Sequence, residues 1–460
     1  MQYKPHNYQK YCIDRIVNDP AIGLFLRPGL GKTSVTLSAI NILRYYKWGI
    51  HKALVVAPKK VAEGTWSKES MKWDHLQHLK ISVVLGTQSQ RIKALCTPAD
   101  VYVINRENIP WLVEYYKQAW PFDMVVLDES TSFKNGRSKR FKALKLVRRF
   151  MKKIVLLTGT PSSKGLEDLW AQIYLLDEGQ RLGKTITSFR QMYFVPDKRN
   201  ATQIWSYKPK EEAEASILNA ISDICISMKA EDYLELPNRI DHEVPVILDS
   251  KIKNAYDQFE RDLLLEVDED VITANAAGAL TGKLLQFCSG AVYDADRKVI
   301  HIHDCKIEAY TELLESLNGE PCITFYGYQH DEERILKALA KTKLRVRVYK
   351  NTDDEDAWNN GEVDVLLAHP SSCAYGLNLQ AGGRHIVWFT PNWSFELNDQ
   401  GICRLWRQGS PYDKVYVHYL VVQDCVDEDV ISVVQDREST HENVMKILKA
   451  RIKKIKEVAS

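Results

Sequence analysis

The sequence predicts an α/β protein with two parallel β-sheets flanked by helices. Short apolar runs rich in Val, Ile and aromatic residues recur along the chain and alternate with longer segments of helical period. Runs that are apolar throughout are typical of strands buried on both faces, as in parallel sheets built from β-α-β units. These runs form two sets, and helical patterns dominate the region of about residues 165–305 between them.

Eleven segments are predicted strands on this pattern. The first set comprises Ala21–Leu26, Ala53–Ala57, Ile81–Leu85, Val101–Asn105, Met124–Leu127 and Ile154–Leu157. The second set comprises Cys322–Tyr326, Val346–Tyr349, Val363–Ala368, His385–Phe389 and Val415–Val421. The amphipathic segments predicted as helices between the sets are Leu166–Leu176, Glu211–Ile224 and Lys251–Val267.

The composition bounds the class of protein. A chain of 460 residues has room for two or three domains, and 45% hydrophobic with 27% charged residues is typical of a globular protein. Because the net charge is only +2, a nucleic-acid partner would have to be recognised by local charge. Nine dispersed cysteines without a CxxC pair predict buried thiols in a reducing compartment. Since no apolar run approaches the roughly 20 residues of a membrane helix, we expect an intracellular, cytoplasmic protein without a membrane partner.

A glycine-rich loop follows the first predicted strand and precedes a helical segment, Ser34–Tyr45. The loop reads Arg27-Pro28-Gly29-Leu30-Gly31-Lys32-Thr33. Glycines let backbone N–H groups curl around an anion, and a helix N-terminus adds positive potential. Lys32 would reach the β- and γ-phosphates of a nucleotide, and Thr33 would place a hydroxyl on Mg²⁺. The first glycine of the strict phosphate-loop pattern is replaced by Leu26, so an ordinary tight turn is the alternative.

Two adjacent carboxylates, Asp128 and Glu129, end the strand that begins at Met124. In a doubly wound sheet, this edge presents the ligand-binding groups. Asp128 would hold Mg²⁺, and Glu129 would orient and deprotonate the attacking water. The alternative is a solvated strand end.

The order of the motifs resembles superfamily-2 helicases of the SNF2 (Swi2/Snf2) type, including the compact SNF2-like DNA helicases of bacteriophages. The resemblance covers most of the chain and is carried by Gly29–Thr33, Asp128-Glu129-Ser130-Thr131, Thr158-Gly159-Thr160-Pro161, Gly376-Leu377-Asn378-Leu379, Gln400-Gly401-Ile402-Cys403-Arg404-Leu405-Trp406-Arg407, Lys134-Asn135 and Leu234-Glu235-Leu236-Pro237. It implies two RecA-like lobes, at residues 1–236 and 237–460. Helical insertions would lie from about residue 165 in the first lobe and at about 250–305 in the second.

The resemblance also implies roles for particular residues. Gln9 would read adenine, and Gly376, Asn378 and Gln400 would line the nucleotide. Arg404 and Arg407 would reach across the cleft between the lobes to the γ-phosphate. A guanidinium neutralises the charge of phosphoryl transfer better than an amine does, which makes this assignment chemically reasonable. Without the other motifs, the alternative is an exposed helix face carrying Gln400, Arg404 and Arg407. Thr158 and Thr160 would couple hydrolysis to movement.

Family position further implies nucleic-acid contacts at Lys59 and Lys60 together with Trp66, at the Asn105 region, and at Ser371 and Ser372. The basic residues of 134–153 form either a solvated helix or a DNA-facing one. The basic helix predicted over Val444–Val458 braces the lobes with its apolar face or contacts DNA. His301 and His303 are two residues apart and are either surface and structural histidines or two ligands of a zinc ion.

Three departures concern the subfamily rather than the nucleotide chemistry. Leu26-Arg27-Pro28 stands where SNF2 proteins have Asp-Glu-Met, Asp128-Glu129-Ser130-Thr131 where they have Asp-Glu-Ala-His, and Pro391-Asn392-Trp393-Ser394 where many have Trp-Asn-Pro. None of them removes a phosphate, metal or base ligand.

The hypothesis favoured at this stage is an ATP- and Mg²⁺-dependent translocase on double-stranded or branched DNA, monomeric and directed by a recruiting protein. One alternative is a strand-separating DNA or RNA helicase. The other is a catalytically silent nucleic-acid-binding scaffold. Under each hypothesis, the expected cellular setting of the protein is a bacterium or a phage-infected host cell.

Overall fold

The computed structural model describes residues 1–159, 161–162, 165–197, 204, 206–228, 236–265, 274–373 and 377–435. The sequence predictions for Thr160, Leu234, Glu235, Gly376 and the basic helix at Val444–Val458 lie outside these residues. The chain divides into two compact units, residues 1–234 and 235–460.

The first unit is built on a seven-stranded sheet in which every strand pairing is parallel. The strands of this unit are β1 (Ala21–Leu26), β2 (Ala53–Ala57), β3 (Ile81–Val84), β4 (Val101–Asn105), β5 (Met124–Asp128), β6 (Lys153–Thr158), β7 (Phe194–Pro196), β8 (Tyr207–Pro209) and β9 (Cys225–Met228). The sheet order is β3-β4-β2-β5-β6-β1-β9, while β7 and β8 form a separate antiparallel pair.

Helices flank this sheet. They are α1 (Asn7–Asn18), α2 (Lys32–Asn41), α3 (Trp66–Lys72), α4 (Gln88–Cys96), α5 (Ile109–Tyr116), α6 (Lys139–Val147), α7 (Asp168–Asp177), α8 (Ile186–Tyr193) and α9 (Ala213–Ile221). Every residue of β1, β2, β4 and β5 is buried, as the uninterrupted apolar runs predict. The apolar side of α7 joins the same core cluster as Val125, Leu127 and Leu156 of the sheet.

The second unit contains a six-stranded parallel sheet of order β10-β17-β16-β13-β15-β14. The strands of this unit are β10 (Asn238–Val246), β11 (Ala291–Tyr293), β12 (Val299–His301), β13 (Cys322–Phe325), β14 (Val346–Val348), β15 (Val365–Ala368), β16 (His385–Trp388) and β17 (Lys414–Val422). Its helices are α10 (Ser250–Leu265), α11 (Ala274–Ser289), α12 (Cys305–Ser316), α13 (Gln329–Leu339), α14 (Thr352–Asn359), α15 (Pro370–Cys373), α16 (Phe395–Ile402) and α17 (Val426–Gln435).

Along the strands of the second sheet, successive side chains point alternately into two different hydrophobic cores. Ile323, Leu366 and Ile386 belong to one buried cluster, whereas Cys322, Val365 and Val387 belong to the other. This two-sided burial follows from the period of two along a strand and confirms the parallel α/β prediction. Among the described residues, no helix is both long enough and apolar enough to cross a lipid bilayer.

All eleven predicted strands are present, with ends that shift by no more than two residues. The three helices predicted between the two sets correspond to α7, α9 and α10. Two strands of the large sheets were missed. β9 is only four residues long, and β10 has mostly exposed residues that give no apolar run.

Candidate functional site

The order of three strands brings the predicted motifs of the first unit to one sheet edge. β6 lies between β5 and β1, with Asp128 opposite Leu157 and Phe25 opposite Thr158. Because all three strands are parallel, their carboxyl ends meet at the same edge. The glycine-rich loop after β1, the carboxylates after β5 and the loop after β6 are therefore neighbours.

The glycine-rich loop adopts a backbone that side chains with a Cβ rarely adopt. Gly29 and Gly31 have φ angles of 91° and 74°. Gly31 is the N-cap of α2 and has no side chain that would compete for the N–H groups of the first helical turn. Those donors and the helix dipole favour an anion at this point. The ammonium of Lys32 donates a hydrogen bond of 2.7 Å to the carbonyl of Leu26, and Thr33 follows in the same turn.

Gln9 packs against this loop. A Cβ on Gly31 would lie 2.6 Å from Nε2 of Gln9, so the amide lies close against the backbone of the loop. The Oε1 atom of Gln9 accepts a hydrogen bond from the backbone of His6, and Nε2 donates to the carbonyl of Leu30 at 3.4 Å. The structure therefore brings Gln9 to the loop that contains Lys32.

The carboxyl group of Asp128 lies in a buried environment next to two opposing charges. Burial is the main reason that its pKa is raised to about 7. The charge of Glu129 raises it further, while Lys32 and a hydrogen bond from Trp66 lower it. The indole Nε1 of Trp66 donates this bond to Oδ2 of Asp128 at 3.1 Å. Placing Trp66 against nucleic acid is therefore wrong, because the side chain is buried and its indole contacts the carboxylate from inside the unit.

Glu129 has a strained backbone and a buried oxygen. Its φ of 51° and ψ of 62° lie in the left-handed region, which is uncommon for a residue with a side chain. Oε2 of Glu129 is buried and accepts no hydrogen bond from any residue that the structure describes. Strain and an unsatisfied buried oxygen at one residue are typical of functional sites.

The loop after β6 packs on the glycine-rich loop. Thr158 is fully buried at the end of β6, and a Cβ on Gly159 would lie 3.1 Å from Cδ of Pro28. The two loops are therefore closely packed at this point. The predicted coupling role of Thr158 stays a prediction.

In the second unit, the predicted arginines meet at one main-chain carbonyl. Arg404 donates from Nη1 to the carbonyl of Leu377 at 2.9 Å and from Nε to the carbonyl of Gln400 at 2.8 Å. Arg407 donates to the same Leu377 carbonyl at 3.4 Å. Arg404 is buried, whereas Arg407 is partly exposed.

Asn378 and Gln400 lie on the same two segments. The backbone N–H of Asn378 donates to Glu355, and Nε2 of Gln400 donates to Glu396. The structure therefore unites Asn378, Gln400, Arg404 and Arg407 around the segment that begins at Leu377.

The residues assigned to nucleic acid differ in exposure. Lys59 is exposed and lies 3.9 Å from Glu63, and Lys60 is partly buried beside it. Asn105 is buried, and its amide donates to Glu107. Ser371 is exposed and shares a hydrogen bond with His369, while the hydroxyl of Ser372 donates to the His369 carbonyl.

The basic segment of residues 134–153 has two kinds of members. Lys134 pairs with Asp168, Arg148 donates to the carbonyls of Leu175 and Leu176, and the ammonium of Lys153 donates to three carbonyls at the end of α1. These cations cap and join elements of the first unit. The exposed basic side chains of this segment are Arg137, Lys139, Lys142, Lys145, Arg149 and Lys152.

The histidine pair after α11 is placed differently from a metal site. His301 lies 3.0 Å from Asp304, while Nε2 of His303 contacts the buried carbonyl of Phe287. Burial lowers the pKa of His303 to about 4. In the part of the chain that the structure describes, no group of three or more His, Cys, Asp or Glu residues is arranged to hold a metal ion.

Two site residues were missed from the sequence: Trp66 as a partner of Asp128, and Gln172 of α7. Gln172 is fully buried and bonded to Ser130, directly after the carboxylate pair. A polar residue in the apolar pattern of Leu166–Leu176 was the available signal.

Comparison with known proteins identifies the family. A model of the SNF2-related domain matches residues 18–288. The p41 protein of Acyrthosiphon pisum secondary endosymbiont phage 1 is 35% identical over 464 residues, which cover 98% of this chain and 99% of that protein. The human DNA repair and recombination protein RAD54B is 24% identical over 459 residues, covering 87% of this chain. This chain spans about half (50%) of the length of RAD54B.

The fold has counterparts among solved structures. The Hef helicase domain of Pyrococcus furiosus matches with a TM-score of 0.53 and 15% identity, over 93% of this chain and 97% of that domain. This likeness concerns the fold alone. Each sheet with its helices is a RecA-like lobe, and the chain belongs to the SNF2-related family of superfamily-2 helicase-like proteins.

Proposed function

We propose that this protein is an ATP-driven DNA translocase that hydrolyses ATP with Mg²⁺ and moves along duplex DNA. One observation carries the proposal. Lys32, at the start of α2, lies close enough to Asp128 for its charge to lower the carboxyl pKa, and Glu129 follows with a buried oxygen. The residues that we assign as phosphate-binding cation, metal-binding carboxylate and base therefore lie at one sheet edge.

The first unit contains the residues that would bind ATP and Mg²⁺ and activate the attacking water. The N–H groups of the first turn of α2 and the ammonium of Lys32 would hold the β- and γ-phosphates. The Thr33 hydroxyl and the Asp128 carboxylate would hold Mg²⁺, since both supply the oxygen ligands that this cation prefers. The raised pKa of Asp128 and the buried oxygen of Glu129 fit a site completed by a cation and a water. When bound, the cation neutralises charge on the phosphates.

Glu129 is the residue that would act on the attacking water. Its Oε2 accepts a proton from that water as the water oxygen attacks the γ-phosphorus, and the bond to the β-γ bridging oxygen breaks. Arg404 and Arg407 keep the γ-phosphate role that family membership implies. The close approach of Gly159 to Pro28 would pass a change at the phosphates to the loop after β6.

DNA is favoured as the track by the relatives. RAD54B is named as a DNA repair and recombination protein. Exposed Lys59 and Ser371 follow the carboxyl ends of β2 and β15 within a few residues, where contacts with backbone phosphates would position a protein without reading sequence.

The test measures ATP turnover by the purified chain with duplex DNA, single-stranded DNA and RNA, and in parallel the displacement of a third strand from a DNA triplex. Duplex-stimulated turnover with triplex displacement is the expected result. Unwinding of a forked duplex would favour a strand-separating helicase instead. The Lys32→Ala variant is the negative control. If the wild type and this variant both show negligible turnover on every substrate, the remaining hypothesis is a catalytically silent nucleic-acid-binding scaffold.

A further inference from the structure

The side chain of Gln172 joins two loops of the first unit from inside the core. The hydroxyl of Ser130 donates to Oε1 of Gln172 at 2.7 Å. Nε2 of Gln172 donates to the carbonyl of Pro161 at 2.7 Å and to that of Asp168 at 2.9 Å. Because Nε2 faces two carbonyl oxygens, the orientation of the amide is fixed, and every strong bonding group of the side chain is used.

These contacts connect the loop that carries the carboxylates with the loop that follows β6. Ser130 comes directly after Glu129, and Pro161 belongs to the Thr158–Pro161 motif. Both loops lie at the carboxyl edge of neighbouring strands. Without Gln172, the Ser130 hydroxyl would be a buried polar group without this partner, beside a helix whose Leu169 and Ile173 belong to the apolar core cluster. The partly buried Pro161 carbonyl would lose the donor Nε2.

A second contact ties the same loop to the same helix. Lys134 lies 3.0 Å from Asp168, which is one helical turn before Gln172 on α7. Gly136 supports this arrangement, because a Cβ there would lie 2.6 Å from the ring of Trp170. Residues 168–172 of α7 thus meet the segment 130–136 at three points, through Asp168, Trp170 and Gln172.

We infer that Gln172 is a positioning residue that makes the loop after β6 respond to the state of the carboxylate loop. This inference rests on the proposed ATP-driven function and names the residue that transmits it. A nucleotide that moves Glu129 moves Ser130, the amide of Gln172 follows, and the carbonyl of Pro161 follows the amide. The side chain is fully buried, so its loss should affect the response and not nucleotide binding.

The test compares Gln172→Leu, Ser130→Ala and the double variant Ser130→Ala/Gln172→Leu. Gln172→Leu leaves the Ser130 hydroxyl without its partner and should lower Tm. The double variant removes both polar partners from this contact, so its Tm should recover toward that of the wild type. A matched control is Ser82→Ala, which loses the buried bond from Ser82 to the Ala94 carbonyl on the other side of the unit.

Two readouts separate positioning from packing. The first is kcat with saturating duplex DNA, which should fall about tenfold in Gln172→Leu and stay low in the double variant, with nucleotide Kd unchanged within about twofold. The second is hydrogen exchange of the peptide spanning residues 158–168, with and without Mg-ATP. Its nucleotide-dependent change should be present in the wild type and Ser82→Ala, and absent in both variants that carry Gln172→Leu.

The outcomes that overturn the inference are distinct from failure of the proposed function. Recovery of both Tm and the exchange response in the double variant would show that Gln172 serves packing only, and so would an unchanged exchange response in Gln172→Leu. If wild-type turnover shows no dependence on DNA, the translocase proposal fails, and the exchange readout still decides on Gln172 because it requires nucleotide binding alone.

Discussion

The indole nitrogen of Trp66 lies 3.1 Å from a carboxylate oxygen of Asp128 and donates a hydrogen bond to it inside the first lobe. The bond stabilises the charged form of a carboxyl group whose pKa burial raises to about 7. Trp66 begins α3, more than sixty residues before Asp128, and the two meet because β2 and β5 are adjacent. The order of the strands therefore determines the electrostatics of the predicted metal ligand.

Trp66→Phe should weaken Mg²⁺ binding and leave the aromatic packing nearly intact. Without the indole donor, the pKa of Asp128 rises further and the carboxylate loses its orientation. The Mg²⁺ concentration for half-maximal ATP turnover should increase about tenfold, as is typical when a partner of a metal ligand is removed. Trp73→Phe is the control, because Trp73 donates to Glu69 at 2.7 Å in the same segment. An equal effect in both variants would contradict the prediction.

Glu129→Gln should separate nucleotide binding from hydrolysis. The amide keeps the shape of the side chain but cannot accept a proton from water, so turnover should fall by a factor of about 10² to 10⁴. Fluorescence titration with Mg-ATP should give an unchanged Kd. The exposed Glu114, changed to Gln in a parallel variant, controls for the loss of one negative charge. Loss of nucleotide binding in Glu129→Gln would mean that this carboxylate holds the cation instead.

Arg407→Ala and Arg404→Ala should differ in stability, although both should lose hydrolysis. Arg404 donates to the carbonyls of Leu377 and Gln400 while buried, so its removal leaves buried acceptors and should cost about 1–3 kcal/mol of unfolding free energy. Arg407 is more exposed and its removal should leave Tm nearly unchanged, with turnover reduced about 10³-fold.

The measurement for this arginine pair combines turnover, nucleotide Kd and thermal unfolding. Arg345→Ala is the control, since Arg345 forms an exposed pair with Asp364. Full turnover in Arg407→Ala would show that the arginine motif has been assigned to the wrong residue.

The second lobe should lose stability as the pH falls from about 6.5 to about 4. The pKa of His418 is lowered to about 4, mainly by burial and in smaller part by the neighbouring His385 and His242. The pKa of His303 is also lowered to about 4. In the unfolded chain, the histidine pKa is near 6.5, so between about pH 6.5 and 4 the unfolded chain binds more protons than the folded lobe. Unfolding therefore takes up protons in this range, and the stability of the lobe decreases as the pH falls.

Urea unfolding at several pH values checks this dependence. In His418→Gln, the proton uptake on unfolding near pH 5 should decrease by about one proton. Two charged groups lie next to the cluster of His242, His385 and His418. Glu320 contacts His385, and Arg384 forms a salt bridge with Glu320. Changing the exposed His51 to Gln in the first lobe should leave the dependence unaltered, and an unaltered slope in His418→Gln would refute the assignment.

The sequence predicted the strands well because parallel strands are buried on both faces and leave an uninterrupted apolar run. β10 escaped because it lies at the edge of its sheet, where polar residues and Pro245 are tolerated. Lys32 and Asp128 could be singled out from the sequence because one local segment carries each motif, and their roles stay predictions. Trp66 and Gln172 could not be singled out, since their roles arise from contacts between distant segments that periodicity does not encode.

In the second sheet, the strand that comes first along the chain, β10, pairs with the strand that comes last, β17. Asn238 lies opposite Lys414, and Val246 lies opposite Val422. During synthesis on a ribosome, β10 emerges about 180 residues before its partner, so this lobe cannot complete its sheet until β17 has left the exit tunnel. The same holds for β1, whose neighbours β6 and β9 follow more than a hundred residues later. Each lobe therefore folds late and as a unit, and a chain interrupted before Val422 exposes an unpaired edge that favours aggregation.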